Sequence, residues 1–389
     1  MAIRALTARG GAAGADYHDQ PEGHWIDGPI STPMSVYPEY RGSRRSFGLN
    51  VLGTVVVEVE ASDGSVGFAP TTGGEPAAWI IEKHLSRFVL GAPVEAIAEI
   101  WDKMFRGSLF YGRRGLVLNA ISGIDLALYD LLGHVRGLPV HALIGGTVRD
   151  EILFYATGPR PDIAEQLGFI GGKVPLLVTP DGRPDVAGAV AWRDRVGDDF
   201  ALMLDCWMSL ELTSALEIAS SLRAAEFSWM EEPLPPDDYW GYAELTAKVP
   251  DGLAVTTGEH ESTRWGFQLL LQMGCANMLQ PDVGWCGGMT ELLRIAELAE
   301  RAKVPVVPHG SSVYSYHFVV TQGNSPISEF LMMHHDGSAV VPMFSPLLLD
   351  EPVPENGRMP VPDGPGFGVR LNPDVPLRRP YGQDEELSR

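Results

Sequence analysis

The sequence predicts an α/β protein, a parallel barrel carried beside a smaller α+β domain. Three observations predict it. The 389 residues exceed one small domain but match a barrel of roughly 250 residues plus a companion. Strand-like runs recur through the later two-thirds of the chain, with helical patterns between most of them. Those runs also end repeatedly on ionisable residues. The run ALML at 201–204 should stay apolar if it served only packing, yet it leads straight into Asp205.

Residues 11–50 are rich in Gly, Pro and aromatics without clear periodicity and read as a long loop. A structureless stretch of that length in a compact protein is commonly a functional cover. Gly10, Gly11 and Gly14 follow no strand pattern, so they argue only weakly for a phosphate cradle. From 49 to 70, LNVLGTVVVEVEASDGSVGFAP joins a β-branched run, an Asp-Gly turn and a second short run, which predicts a hairpin. Residues 79–105 take a helical pattern. Next, Ile121, Ile124, Leu128, Leu131 and Val135 share one helical face, with Gly137 and Pro139 as stop signals. Hairpin and helices together predict an α+β domain over residues 1–125.

The rhythm changes over 126–342. Eight runs follow: EILFYATG, FIGGKVPL, ALMLD, FSWMEE, LAVTTGEH, ANMLQPD, VPVVPH and SEFLMM. GGMTELLRIAELAERAK, from Gly287, is the clearest of the intervening helical patterns. Eight βα units close into a barrel; an open doubly wound sheet is the alternative, disfavoured by the count and by the lack of a glycine-rich phosphate fingerprint. Residues 343–389 are loop-rich, full of Pro and Gly, and predict a segment that returns over the barrel mouth or to the first domain. The polar tail from Arg378 is expected to fray.

Composition narrows the partners. A formal charge of -21 argues against nucleic acid and anionic membranes, which need basic patches. An anionic small substrate stays compatible if the site supplies positive charge locally. Three cysteines without metal-type spacing point to reduced thiols in a cytoplasm. No apolar signal core opens MAIRALTARGG, and no segment is expected to reach membrane-spanning length.

Six runs close on Asp205, Glu231, Glu259, Asp282, His309 and Glu329, each roughly one βα unit after the last. A single acid at a strand end is ordinarily a helix cap. Six on one barrel mouth are not, and carboxylates gathered there without a cation would repel. Asp205, Glu231 and Glu259 lie on consecutive strands and offer only oxygen, which suits Mg²⁺ rather than zinc. Glu232 is the alternative to Glu231; strand alternation lets only one face inward, and Glu231 is preferred. Cys206 would point away from Asp205, into the core. Asp282, beside His309, would orient the ring and raise its basicity. Glu329 would donate to a developing oxyanion on the side away from the metal, where loss of one donor costs about 2.7–4 kcal/mol. Metal, imidazole and acid together suit proton abstraction next to a carboxylate.

These residues carry a resemblance. With YHDQ, HWID, SRRSFG, NVLGT, DEILFYATG, FIGGK, LMLDCWMS, QPDVGWCGG, VVPHGSSVYS and GFGVRLN, the chain resembles the enolase superfamily over nearly its whole length, in the mandelate racemase/rhamnonate dehydratase branch. That superfamily is a known case of tuned acid–base chemistry, in which Mg²⁺ is paired with a Lys or His base. The resemblance implies a modified (β/α)7β barrel capped by the N-terminal region and the C-terminal segment. It implies Mg²⁺ on Asp205, Glu231 and Glu259, a His309–Asp282 dyad as base and acid, and Glu329 stabilising the enediolate. His18 and Arg44, from the capping loops, are implied to hold substrate; Arg45 is the second choice, and His260 and Lys173 are further candidates for the substrate site.

The implied substrate is an aldonic acid such as L-rhamnonate, dehydrated to its 2-dehydro-3-deoxy product by a homo-oligomer, of which an octamer is the expected form. Many members of the superfamily carry a Lys-x-Lys base at the second strand; here Lys173 is followed two residues later by Pro175, which cannot act as a base. A two-base racemase is therefore disfavoured. A single His that takes the C2 proton and then protonates the leaving C3 hydroxyl fits a dehydratase. Another aldonic acid (L-lyxonate or L-mannonate), an epimerase and a non-catalytic barrel stay as alternatives. A metal-dependent hydrolase would want His-x-His near the first barrel strand, which instead reads LFYATG.

Overall fold

The computed structural model describes residues 1–8, 22–48, 52–310 and 312–381. The β-branched strand Thr54–Glu60 turns into Val66–Thr72 in unbroken antiparallel register, from Thr54↔Thr72 to Glu60↔Val66. Gly64, at φ 87°, supplies the left-handed step of that turn, and Asp63 accepts the Ser65 N–H at 2.9 Å. Ala2–Ala8, which patterning did not single out, pairs antiparallel with Thr54–Glu60. Leu377–Arg378 adds to its other edge, so the C-terminal segment completes the first sheet and Arg378, expected to begin a frayed tail, is instead paired. The same C-terminal segment lays Arg358–Pro360 antiparallel on Glu151–Thr157, tying the cap to the barrel.

The helix Leu116–Arg136 packs on the hairpin. Glycine makes the approach close: a Cβ on Gly67 would lie 2.2 Å from the Leu131 nitrogen. This helix corrects two expectations. A domain boundary at residue 125 falls inside it, so the N-terminal unit continues to Arg136. With 21 residues and a mean hydropathy of 1.5 it is also long and apolar enough to cross a membrane, although no segment was expected to be. Instead, 89% of its most apolar 18-residue stretch is buried within the protein, as in a core helix.

In the barrel, Glu151–Thr157, Gly171–Pro175, Ala201–Asp205, Phe227–Glu231, Ala254–Thr257 and Met278–Leu279 lie parallel in chain order. Ser328–Leu331 pairs back onto Glu151–Thr157. The run from Val304 is not a regular strand; it joins by isolated parallel bridges, Leu279↔Val306 and Asp282↔His309. Pro305 and Pro308 explain this, because neither has an N–H to give a ladder. Seven helices, from Pro161–Gln166 to Val313–Val319, alternate with these segments, and among the described residues none follows Ser328–Leu331. The order is that of a (β/α)7β barrel. Tyr155, Met203, Trp229 and Val307 fill its interior, with the Tyr155 and Trp229 rings edge-on at 5.1 Å. This apolar plug is the floor on which the polar site rests.

Candidate active site

Asp205 and Glu231 are the last residues of their strands and stand side by side in register. Parallel strands point their C-terminal ends one way, so both carboxylates project from the same rim. Immediately afterwards the backbone leaves the extended form, at Trp207 (φ 48°), Met208 (φ 57°) and Glu232 (φ 38°). The left-handed step turns the Glu232 carboxylate inward. It accepts the Gly258 N–H and the Thr257 hydroxyl, both at 3.2 Å, and meets His260 Nδ1 at 2.6 Å. The expectation that only one of Glu231 and Glu232 faces inward therefore fails: both are buried, because side-chain alternation holds only while the chain is extended. Glu259 follows Gly258, whose φ of 135° suits glycine and whose Cβ would fall 2.9 Å from the Phe267 ring.

Lys173 organises the carboxylates. It is 1% exposed and ion-pairs with Glu231, with Glu329 at 3.0 Å and with Asp205 at 3.8 Å. Burial opposes its charge, but these carboxylates, Glu231 foremost, hold it well above the usual lysine range. Glu231 also accepts from Gln280 Nε2 at 2.5 Å and Trp229 Nε1 at 3.2 Å. Asp205 shows the strain of the cluster. Burial pushes its carboxyl well up, Lys173 pulls it down, and Glu231 and Glu259 push it up again. Asp205, Glu231 and Glu259 offer only oxygen donors to one buried space, the chemistry of a hard divalent cation, but with Lys173 on Asp205 and Glu231 the three are not gathered within 4.8 Å of one another.

A second group of potential donors, Glu232, Glu259 and His260, has ligand atoms within 4.8 Å of one another. Burial would lower the His260 ring, but Glu232 and Glu259 outweigh it and raise it to about 9. Its ring also lies 5.8 Å from Trp285, and it lines the cavity.

Asp282 and His309 face each other across their bridge, Oδ2 to Nδ1 at 2.9 Å. The other ring nitrogen lies 3.3 Å from Glu259 Oε2. Burial would lower the ring's pKa; Glu259 and the hydrogen bond to Asp282 instead hold it well above the ordinary histidine value. Trp285 packs against the ring at 5.3 Å.

Glu329 departs from expectation twice. It is the second residue of Ser328–Leu331, not a strand end. It also accepts from the Thr157 hydroxyl at 2.5 Å, the Gly310 N–H at 2.8 Å and Lys173, and despite burial Lys173 leads the groups that lower it to about 2. An ionised carboxylate in that setting has no proton to give, whereas its ammonium partner carries donor hydrogens.

Arg44 is 3% exposed and stacks its guanidinium 3.8 Å from the Trp207 ring centroid. Arg45 points outward to Asp27 at 3.2 Å with 60% of its side chain exposed. The geometry thus favours Arg44 over Arg45 as a cavity cation. His18 lies outside the described residues. These groups surround one cavity of about 440 Å³, lined by Arg44, Lys173, Asp205, Glu259, Asp282, His309 and Glu329 and closed by Trp25, Ile26, Met333 and Phe344. Sequence reading missed Trp207, Trp285 and Gln280. Both tryptophans fall within the motifs LMLDCWMS and QPDVGWCGG, but an isolated aromatic carries no periodic signal.

Comparison with known proteins agrees with this layout. A model described as "Enolase C-terminal domain-like" matches residues 163–375, and the mandelate racemase / muconate lactonizing enzyme N-terminal domain matches 49–145. The chain is similar to a rhamnonate dehydratase from Gibberella zeae solved with Mg, at 45% identity and a TM-score of 0.91, over 96% of this chain and 94% of that one. It also resembles a 3,6-anhydro-D-galactonate cycloisomerase from Zobellia galactanivorans, at 29% identity and TM-score 0.75, over 82% and 92% of the two chains. A racemase from Streptomyces coelicolor A3(2) with bound magnesium matches at 26% and 0.75, over 95% and 96%.

Proposed function

Because the chain belongs to the enolase superfamily, in its mandelate racemase/muconate lactonizing enzyme group, we propose that it is a magnesium-dependent hydro-lyase converting L-rhamnonate to 2-dehydro-3-deoxy-L-rhamnonate and water. Asp205, Glu231 and Glu259 are the residues to hold Mg²⁺, whose charge would make the C2 proton of a bound carboxylate acidic. Lys173 stands against the same wall as a fixed positive charge. Arg44, stacked on Trp207, is placed to take an oxygen of the sugar acid. His18 would act with it.

His309 is the proton carrier. Asp282 holds Nδ1, and Glu259, the main group keeping the ring protonated, would be engaged by Mg²⁺, which would leave Nε2 to take the C2 proton. The C3 hydroxyl then leaves as water with that proton, the C2–C3 double bond forms, and the enol becomes a 2-keto-3-deoxy acid. The observation that carries this reading is the pairing of one dyad imidazole with a lysine that is already committed. Lys173 is tied to three carboxylates and position 175 is a proline, so among the described residues the cavity offers no second lysine base for racemisation.

The decisive experiment screens aldonic acids with Mg²⁺ in deuterated water, trapping keto acid with semicarbazide. Keto acid from L-rhamnonate is the expected result; recovered substrate deuterated at C2 without keto acid would mark an epimerase instead. A cytoplasmic homo-oligomer, as an octamer, belongs to the same reading. It is supported by three buried free thiols and by large exposed aromatics such as Phe110, Trp240 and Trp265. Light scattering tests the assembly.

A further inference from the structure

Beyond the catalytic centre, the turn after the last barrel strand gathers His334, His335 and Asp336 with one ligand atom each, all within 4.8 Å of one another. His334 Nδ1 meets Asp336 Oδ1 at 2.6 Å, and the two imidazoles lie with ring centres 4.4 Å apart. Glu22 Oε2 lies 3.8 Å from His335 Nδ1 but outside that group of three, so it is a neighbouring carboxylate that side-chain movement would bring in. All four side chains are partly or largely exposed, so an ion reaches them from solvent.

The neighbourhood gives the cluster a purpose. Segment 24–25 is stitched to the backbone of 332–335: the Trp25 N–H donates to the His335 carbonyl at 2.9 Å, Trp25 Nε1 to the Met332 carbonyl at 2.8 Å, and His24 Nε2 lies 3.1 Å from the Met333 carbonyl. Trp25, Ile26 and Met333 all line the catalytic cavity. A ligand held jointly by Glu22 and the His335 turn would therefore fasten the covering segment to the barrel.

We propose that His334, His335, Asp336 and Glu22 form a second metal site, for a borderline transition dication such as Zn²⁺ or Co²⁺, which staples the covering segment to the end of the last barrel strand. Two imidazoles and two carboxylates are a zinc-class donor set and a poor one for Mg²⁺. The distances are compatible. Bonds of about 2.05 Å in a tetrahedral centre put neighbouring donors about 3.4 Å apart. The His334–Asp336 pair must open by somewhat less than an ångström, with the proton between them released, and the exposed Glu22 side chain must swing in toward all three. Both moves are within reach of exposed side chains in an Asx-type turn, in which Asp336 also accepts the Ser338 N–H at 2.9 Å.

The test titrates Co²⁺ into the full-length protein held in excess Mg²⁺, reading the cobalt visible spectrum. The expected result is one equivalent bound with a tetrahedral signature, retained in Asp205→Asn. Affinity should fall more than about tenfold in His334→Ala and His335→Ala and by a lesser factor in Glu22→Gln. Bound Co²⁺ should also protect the chain near residue 22 from limited proteolysis in the wild type but not in Glu22→Gln. His335→Gln, which keeps the side chain's bulk, and thermal melting without Co²⁺ separate lost ligation from lost folding. Binding that survives both histidine variants, or that Asp205→Asn abolishes, would overturn the proposal, as would the absence of any Co²⁺ binding in excess Mg²⁺.

Discussion

Lys173→Met is the most informative single change. Methionine keeps the length and approximate volume of the side chain but deletes an ammonium that is 1% exposed and shared by Glu231, Glu329 and Asp205. Removing one partner of a buried ion pair ordinarily costs about 3–5 kcal/mol, because the other is left charged and desolvated. Here three carboxylates lose their common partner. In the presence of EDTA the variant should therefore be less stable by about 3–5 kcal/mol, a factor of roughly 10²–10⁴ in the unfolding equilibrium. Mg²⁺ should recover part of that loss, since the cation would neutralise Asp205 and Glu231 but not Glu329. Urea unfolding with EDTA and with Mg²⁺ measures both quantities. Glu329→Gln completes a double-mutant cycle, and direct contact at 3.0 Å predicts a coupling of about 1 kcal/mol or more. Unchanged stability of Lys173→Met in EDTA, or strictly additive effects of the two variants, would refute the claim that Lys173 neutralises this cluster. Activity separates the two roles for Glu329. A proton donor is imitated by an amide, whereas an anchor of Lys173 is not, so Glu329→Gln should lose most of its kcat.

His309→Asn should abolish turnover and solvent deuterium exchange at C2 while leaving the melting temperature and Mg²⁺ affinity in place; exchange that persists would remove His309 as the base. Asp205→Asn should weaken Mg²⁺ binding by more than about tenfold in a calorimetric titration, a ligand being lost outright. Arg44→Ala should raise KM by roughly tenfold or more through loss of a charge-assisted contact, while Arg45→Ala, at an exposed ion pair, stays within about twofold. Stability should also respond to pH away from the active site. Burial raises Asp125 and Glu351 to about 7 each. Both bind a proton more tightly folded than unfolded, so their contribution favours the fold at low pH and is lost as pH rises from about 4 to about 7, on the order of 3–4 kcal/mol each. Asp125→Asn and Glu351→Gln should flatten the urea midpoint between pH 5 and 8; unchanged slopes would contradict that account.

Period and spacing made the barrel and half of its site legible. An apolar run closing on Asp205 or Glu231 is a local pattern, and parallel βα repetition forces every such ending to one rim, so the convergence followed from chain order alone. The Asp282–His309 pairing followed in the same way, even though Pro305 and Pro308 keep that segment from being a true strand. What local pattern does not encode is where the chain stops being extended. The left-handed step at Glu232 turned a residue expected to face outward into a buried partner of His260. Lys173, read as a substrate contact, became the shared counter-ion of three carboxylates from three other strands. Glu329 followed it, changing from donor to acceptor. The domain limit at 125 missed for the same reason, because the helix Leu116–Arg136 takes its end from Gly137 and its affiliation from the hairpin it covers. Sequence by itself determined which residues reach the mouth of the barrel, because backbone periodicity and connection length are properties of neighbours along the chain. Only the tertiary structure decided which of them carry charge toward one another, because ionisation in a buried site depends on the summed field of groups that meet only when the barrel closes.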